Sequence, residues 1–167
     1  MNLKFFFFDT SAICKLILSE PGSDTTRSFL GRTDNKIISS WVCIAETLGV
    51  LKRKLREKDS NGKVSLSSDE YTSAITALFH FIEDGTIKPI DVEGDGSQKL
   101  ATYTAQVLRI RVKYPSLDAA DAIQLAAISQ SILNRIDKES RVKLVSADRG
   151  LLRAAELEGI CIYSVIE

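Results

Sequence analysis

The chain has 167 residues, 44% of them hydrophobic and 26% charged, which excludes intrinsic disorder and suits a single domain, residues 1–167, with a substantial core. Its 22 basic and 22 acidic side chains cancel, so no global field draws it to nucleic acid, and any RNA-binding surface must be a local basic patch. The one strongly apolar N-terminal run, Leu3 to Phe8, is far too short to span a bilayer and leads into Asp9 without a small-residue cleavage site, so neither a membrane span nor a signal peptide is expected.

The first segment, Leu3-Lys4-Phe5-Phe6-Phe7-Phe8, is almost continuously apolar, as in a strand covered on both faces at the centre of a parallel sheet. Thr10 and Ser11 offer N-caps to a helix carrying Ala12, Ile13, Leu16 and Ile17. After the Pro21-Gly22 break a short helix is expected over 24–30, then a strand over 36–39. Ser39 or Ser40 opens a long helix with Val42, Ala45, Leu48, Leu51 and Leu55 at helical spacing, ended by a polar loop over 58–63. Ser67 or Ser68 caps the next helix, through Tyr71, Ile75, Leu78, Phe79 and Ile82, and Gly85 stops it. A strand over 87–92 and a helix over about 96–112 follow, up to the break at Tyr114-Pro115-Ser116.

From Asp118 to Leu133 the density of alanine and aliphatic residues predicts a largely buried helix. Residues 142–146 read as a strand, 149–158 as a helix stopped by Gly159, and 160–165 as a last strand. Strands alternating with helices imply an α/β fold, a mostly parallel central sheet with helices on both sides. Cys14, Cys43 and Cys161 are scattered, without metal-type pairing, and read as small apolar residues in a reducing, cytoplasmic compartment.

Three carboxylates stand where apolar elements end or turn, and a fourth, Glu46, lies within a helix. Asp9 follows the first strand directly, and Asp148 follows Leu144-Val145-Ser146-Ala147 in the same way. Open parallel sheets bind ligands outside the carboxyl ends of their strands, so both side chains would face one crevice. Asp121 lies in the first turn of the alanine-rich helix and Glu46 in the first half of the long one. Each has a plainer explanation: Asp148 as a helix cap, Asp121 as the partner of Asp118 in a capping box, Glu46 on a solvated face. Together, acids from four elements converging on one sheet edge would repel unless a hard cation joined them, and oxygen-only ligands select Mg²⁺ or Mn²⁺. Such a centre can activate water for phosphodiester hydrolysis. His80, the only histidine, stands between Phe79 and Phe81 and reads as structural.

The segments Phe8-Asp9-Thr10-Ser11-Ala12, Ile44-Ala45-Glu46, Asp121-Ala122-Ile123-Gln124-Leu125-Ala126 and Val145-Ser146-Ala147-Asp148-Arg149 resemble, in order and separation, the acidic motifs of PIN-domain proteins. The resemblance spans essentially the whole chain and is closest to the VapC-like toxins of toxin–antitoxin pairs, which Glu20-Pro21-Gly22-Ser23 and Arg53-Lys54-Leu55-Arg56-Glu57 also resemble. It implies a PIN-like three-layer fold and a Mg²⁺- or Mn²⁺-dependent endoribonuclease, usually a homodimer, acting on an RNA substrate and inhibited by a small cognate antitoxin. The functional carboxylates would be Asp9, Glu46, Asp121 and Asp148, with Thr10, Ser11 and Ser146 supporting them. Asp118 departs from the pattern, standing where relatives often carry a basic or neutral residue; a helix cap is the preferred reading.

For RNA contacts, Arg53 lies seven residues after Glu46, on nearly the same helix face, and Arg149 adjoins Asp148. The alternative is a solvated helix end whose cations complement the macrodipole. Two other functions stay open. One is an aspartate-nucleophile phosphatase using Asp9, although Ser11 stands where such enzymes usually place a second Asp; the other is a catalytically silent PIN fold kept as a binding module.

Overall fold

The computed structural model describes residues 4–32, 34–58, 62, 64–90, 97–129 and 142–165, with the side chains of 97–101 excepted. Five strands form one sheet: β1 (Lys4–Phe8), β2 (Asn35–Ser40), β3 (Ile87–Ile90), β4 (Lys143–Ser146) and β5 (Cys161–Ser164). Their order is β3-β2-β1-β4-β5 and every pairing is parallel. The expected α/β class with a parallel central sheet is what the chain adopts.

The phenylalanine run explains why β1 is central. Phe6 and Phe8 pack edge-on against Phe29 on one face, at 4.7 and 5.4 Å between ring centroids. Phe7, by strand alternation, points to the other face. All three are buried, so the sheet is covered on both sides. Phe7 lies level with Ile38 of β2 and Leu144 of β4, and one step on Phe8 is level with Val145. That register brings the ends of β1 and β4 side by side.

The helices between β1 and β2 are α1 (Thr10–Ile17) and α2 (Ser23–Arg27); those between β2 and β3 are α3 (Trp41–Arg56) and α4 (Ser68–Glu83). Between β3 and β4 lie α5 (Ser97–Lys113) and α6 (Ala119–Ala127), which pack on each other, and α7 (Arg149–Leu157) joins β4 to β5. The connection after β3 returns to the far side of β1, so the sequence runs outward in both directions from the β1/β4 pair. That reversal is the point at which a parallel sheet leaves a crevice at its carboxyl edge.

Several expected elements change in detail. The cap of α1 is Asp9 rather than Thr10 or Ser11: its extended backbone and its carboxylate, which accepts from Ala12 N at 2.7 Å, satisfy a donor the helix leaves open. The short helix expected over 24–30 is Ser23–Arg27, with turns beyond it. On α3 the buried face runs through Cys43, Ile44, Thr47 and Leu51, while Val42 and Ala45 are exposed. The cap explains the rotation, since Ser40 accepts from Cys43 N and sets where the first turn meets the sheet. Ser67 caps α4 in a full capping box with Glu70, and Phe79, expected in the core, lies at the surface. The expected strand over 87–92 is seen as far as Ile90, and the helix predicted from Asp118 to Leu133 runs from Ala119; residues 91–96 and 130–141, where the rest of those expectations fall, lie outside the described residues.

Gly22 is a position the backbone dictates. Its φ of 84° is left-handed, and a Cβ there would stand 2.2 Å from the carbonyl oxygen of Val165. The turn after α1 thus closes against the end of the last strand. The neighbouring Glu20 carboxylate meets Lys54 Nζ at 2.6 Å, tying the same turn to α3.

Candidate functional site

Asp9 is the first residue after the central strand, and it is 3% exposed. A buried carboxylate must be hydrogen-bonded, and both its oxygens are. Ser146 Oγ donates to Oδ2 at 2.6 Å, Ser11 Oγ donates to Oδ1 at 2.8 Å, and Ala12 N donates to the same oxygen. Ser11 and Ser146 are oriented in turn, because Ala147 N donates to Ser11 Oγ and Asp148 N to Ser146 Oγ, each at 2.8 Å. Two serines from two elements therefore lock one carboxylate at the strand ends. Burial outweighs these bonds and, with the nearby charge of Asp148, lifts the Asp9 carboxyl from 3.8 to about 6.

Asp148 ends the turn after β4. Its Oδ1 accepts from Leu151 N at 2.9 Å and caps α7, and the residue is exposed. The plain capping role is thus real, but it uses one oxygen and leaves the charge close enough to raise both Asp9 and Asp121.

Asp121 is in the first turn of α6 and is half-buried. Asp118 Oδ1 accepts from Asp121 N at 2.8 Å, which makes Asp118 the cap, without the reciprocal bond that completes a capping box. The Asp121 carboxylate is consequently not used in the cap. Burial, then the charges of Asp118, Asp148 and Glu46, push it up to about 7. No cationic side chain is among the leading influences on Asp9 or Asp121. The charges that act on them are acidic, and Asp148 is common to both.

Glu46 points from the partly buried side of α3. Thr10 Oγ1 donates a short hydrogen bond to its Oε2, and Gln124 Nε2 donates to the same oxygen at 3.2 Å. Side chains of α1, α3 and α6 therefore meet at one carboxylate oxygen. Thr10 is an expected supporting residue, whereas the motif that contains Gln124 gives it no role; Gln124 is 1% exposed and one turn beyond Asp121 on α6. Its spacing from Asp121 was the available signal, since residues three apart share a helix face.

The structure thus links the four acids pairwise, Asp148 acting on both Asp9 and Asp121 and Glu46 acting on Asp121, with Thr10 bonded to Glu46 and Ser11 and Ser146 bonded to Asp9. Among the described residues, no three His, Cys, Asp or Glu side chains close on a single coordination point in this arrangement. The donor chemistry still suits a hard cation that keeps most of its water and takes one or two carboxylates directly. Raised acids that feel the charge of Asp148, with no cationic side chain among their leading influences, are what such an ion would relieve.

The basic residues sit apart from this cluster in their bonding. Arg53 pairs with Glu57 at 3.4 Å on an exposed surface and, with Gly49, Lys52 and Arg56, lines a shallow concavity on α3. Arg149 is exposed in the first turn of α7. His80 is at the surface, 3.6 Å from the Asp84 carboxylate, and has no contact with the acidic group. Cys14 and Cys43 are buried and Cys161 partly so, all as free thiols.

No protein-family model matches the sequence, and no curated protein matches it. Solved structures match it by shape. PAE2754 from Pyrobaculum aerophilum covers 99% of this chain and 91% of its own, with a TM-score of 0.61 and 17% identity. VapBC2 from Rickettsia felis, solved bound to a DNA fragment from its promoter, covers 96% and 98% with a TM-score of 0.58 and 13% identity. FitAcB from Neisseria gonorrhoeae covers 96% and 97% with a TM-score of 0.53 and 17% identity. At such identities the likeness is one of fold, and the fold is PIN-like. No helix among the described residues is long and apolar enough to cross a membrane.

Proposed function

We propose that this chain is a divalent-metal-dependent endoribonuclease that hydrolyses RNA phosphodiester bonds, working as the VapC-like toxin of a toxin–antitoxin pair. The observation that carries the reading is the placement of Asp9: a buried carboxylate at the end of the central strand, held by Ser11 and Ser146, raised by the neighbouring Asp148 that also raises Asp121, and with no cationic partner among the leading influences on its charge. The sequence motifs and the shape of VapBC2 support the same reading from independent directions.

Asp9, Asp121, Asp148 and Glu46 would hold Mg²⁺ or Mn²⁺, with charge as the reason. When bound, the cation supplies a more acidic water and stabilises charge on the phosphoryl oxygens. The chain's own side chains do the rest. Ser11 and Ser146 hold Asp9 in one orientation, Thr10 holds Glu46, and the caps from Asp118 and Asp148 fix where α6 and α7 begin. Arg53 and Arg149 are the proposed phosphate contacts. An antitoxin segment that places an arginine or lysine among the carboxylates would neutralise them in the cation's stead, and the active form is proposed to be a cytoplasmic homodimer.

Cleavage of a mixed cellular RNA pool tests the proposal, run with metal, with chelator, and with Asp9→Asn, Asp121→Asn and Asp148→Asn. Each variant is expected to lose most activity, and a double variant little more than the worst single one, because the acids act as a unit. Cleavage that persists in chelator or in Asp9→Asn overturns it. One observation favours the second reading, a PIN-like fold kept as a binding module: hydrogen bonds within the protein already account for both oxygens of Asp9 and for one of Asp148. A calorimetric metal titration separates the two, since the module binds no divalent ion.

A further inference from the structure

The Gln124 amide is the one side-chain group among the described residues with a fully buried polar atom and no partner: its Oε1 accepts no hydrogen bond. The amide cannot be turned over to repair this. Nε2 donates to Glu46 Oε2, and an ionised carboxylate has no proton to give to an oxygen placed there instead. Fixing the donor on Glu46 therefore fixes the orphaned acceptor. Burying an unmade acceptor costs free energy, and an aliphatic side chain of the same size would fill the position without that cost.

Three features place the Gln124 side chain beside the acidic group rather than in inert core. Gln124 stands one turn beyond Asp121 on the same face of α6. It bonds the carboxylate that also takes the Thr10 hydroxyl from α1. That carboxylate is among the charges that raise Asp121. We infer that Gln124 is a positioning residue for the acidic site: Nε2, kept at the cost of the unpartnered Oε1, aims the Glu46 carboxylate towards a divalent cation in the crevice. The inference rests on the metal reading above and assigns Gln124 a role outside the four carboxylates.

The test is a double-mutant cycle on Mn²⁺ affinity, read by titration calorimetry with no RNA present. Gln124→Met keeps the volume and removes both polar atoms, and Glu46→Gln removes the charge that Gln124 aims. Each single variant is expected to bind Mn²⁺ about tenfold more weakly, a step of about 1.4 kcal/mol. The double variant is expected to lose clearly less than the product of the two, because the residues act on one another. Gln124→Asn, an amide too short to reach Glu46, should weaken binding like Gln124→Met and keeps the test available if the methionine variant misfolds; melting curves check the fold of each. Unchanged Mn²⁺ affinity in the folded Gln124 variants, or strictly multiplicative losses, overturns the inference and leaves the metal reading standing. Wild-type protein that binds no Mn²⁺ overturns both.

Discussion

Ser146 Oγ donates to Asp9 Oδ2 at 2.6 Å, and this bond joins the end of β4 to the end of β1 across 137 positions of sequence. Ser146 Oγ also accepts from Asp148 N, so one hydroxyl orients the central carboxylate and the turn that carries its neighbour. Replacing Ser146 with Ala removes both bonds without creating a large cavity. A hydrogen bond to a charged group is worth about 1.5–3 kcal/mol, and the loss of stability on chemical denaturation is expected in that range. Because the bond favours the ionised form of Asp9, its loss should also raise the Asp9 carboxyl further above about 6, which a carboxyl NMR titration reads. An Asp9 titration that stays put in Ser146→Ala contradicts the role assigned to this bond.

The pH dependence of stability follows from the same carboxylate. In the unfolded chain Asp9 loses its proton near pH 3.8, in the folded chain near pH 6, so the folded state holds the proton more tightly. Metal-free protein should therefore lose stability as pH rises from about 4 to 6, by about 3 kcal/mol from Asp9, and level off for this group above that. Asp121, raised to about 7, extends the decline towards neutrality. Asp9→Asn in chelator should melt higher than wild type at pH 7.5 and show a shallower slope. A variant that melts lower at every pH shows that the Asp9 hydrogen bonds outweigh its desolvation.

Added cation should reverse this cost. An ion that binds only the folded state at ten times its dissociation constant stabilises by about 1.4 kcal/mol. Mg²⁺ or Mn²⁺ is expected to raise the wild-type melting temperature at pH 7.5, less at pH 5, where protons compete for Asp9 and Asp121. Asp121→Asn should lose most of the shift. Equal shifts in wild type and Asp121→Asn place any bound ion elsewhere.

At the opposite end of α7, Glu158 accepts hydrogen bonds from Arg109, Lys113 and Tyr114, and these hold its carboxyl down to about 2. A depressed carboxyl stabilises the fold above its unfolded value of 4.5, and that contribution is lost as pH falls towards 2. Arg109 and Lys113 are substantially exposed, which screens the pairs, so Glu158→Gln is expected to cost about 1–2 kcal/mol at pH 7. At pH 2 the variant and wild type should unfold alike in urea. A difference that survives at pH 2 traces to packing instead.

Arg53→Ala separates surface charge from the acidic site. Its exposed pair with Glu57 is worth little, so stability should change by less than about 0.5 kcal/mol. RNA binding by the Asp9→Asn protein should weaken and its dependence on log salt fall by about one unit when Arg53 is also removed. Trp41, the chain's one tryptophan, is half exposed at the start of α3 and offers a fluorescence signal for the titration. An unchanged salt slope removes Arg53 from the RNA surface.

What the sequence determined by itself was whatever depends on local pattern. The run Phe5 to Phe8 marked a strand buried on both faces, Ser67 or Ser68 marked a helix start, and the positions of Asp9 and Asp148 after apolar strands placed both at the carboxyl edge of a parallel sheet. Those signals arise from backbone geometry and side-chain period, which a few neighbouring residues suffice to set. Tertiary structure decided what depends on distant partners. The residue that caps α1, the face α3 buries, the two serines that lock Asp9 and the meeting of Thr10, Glu46 and Gln124 all require β1 beside β4 and α3 beside α6. Gln124 shows the physical reason most plainly. On a helix an amide is an ordinary polar residue, and it becomes a buried, half-satisfied group only when two other helices close over it.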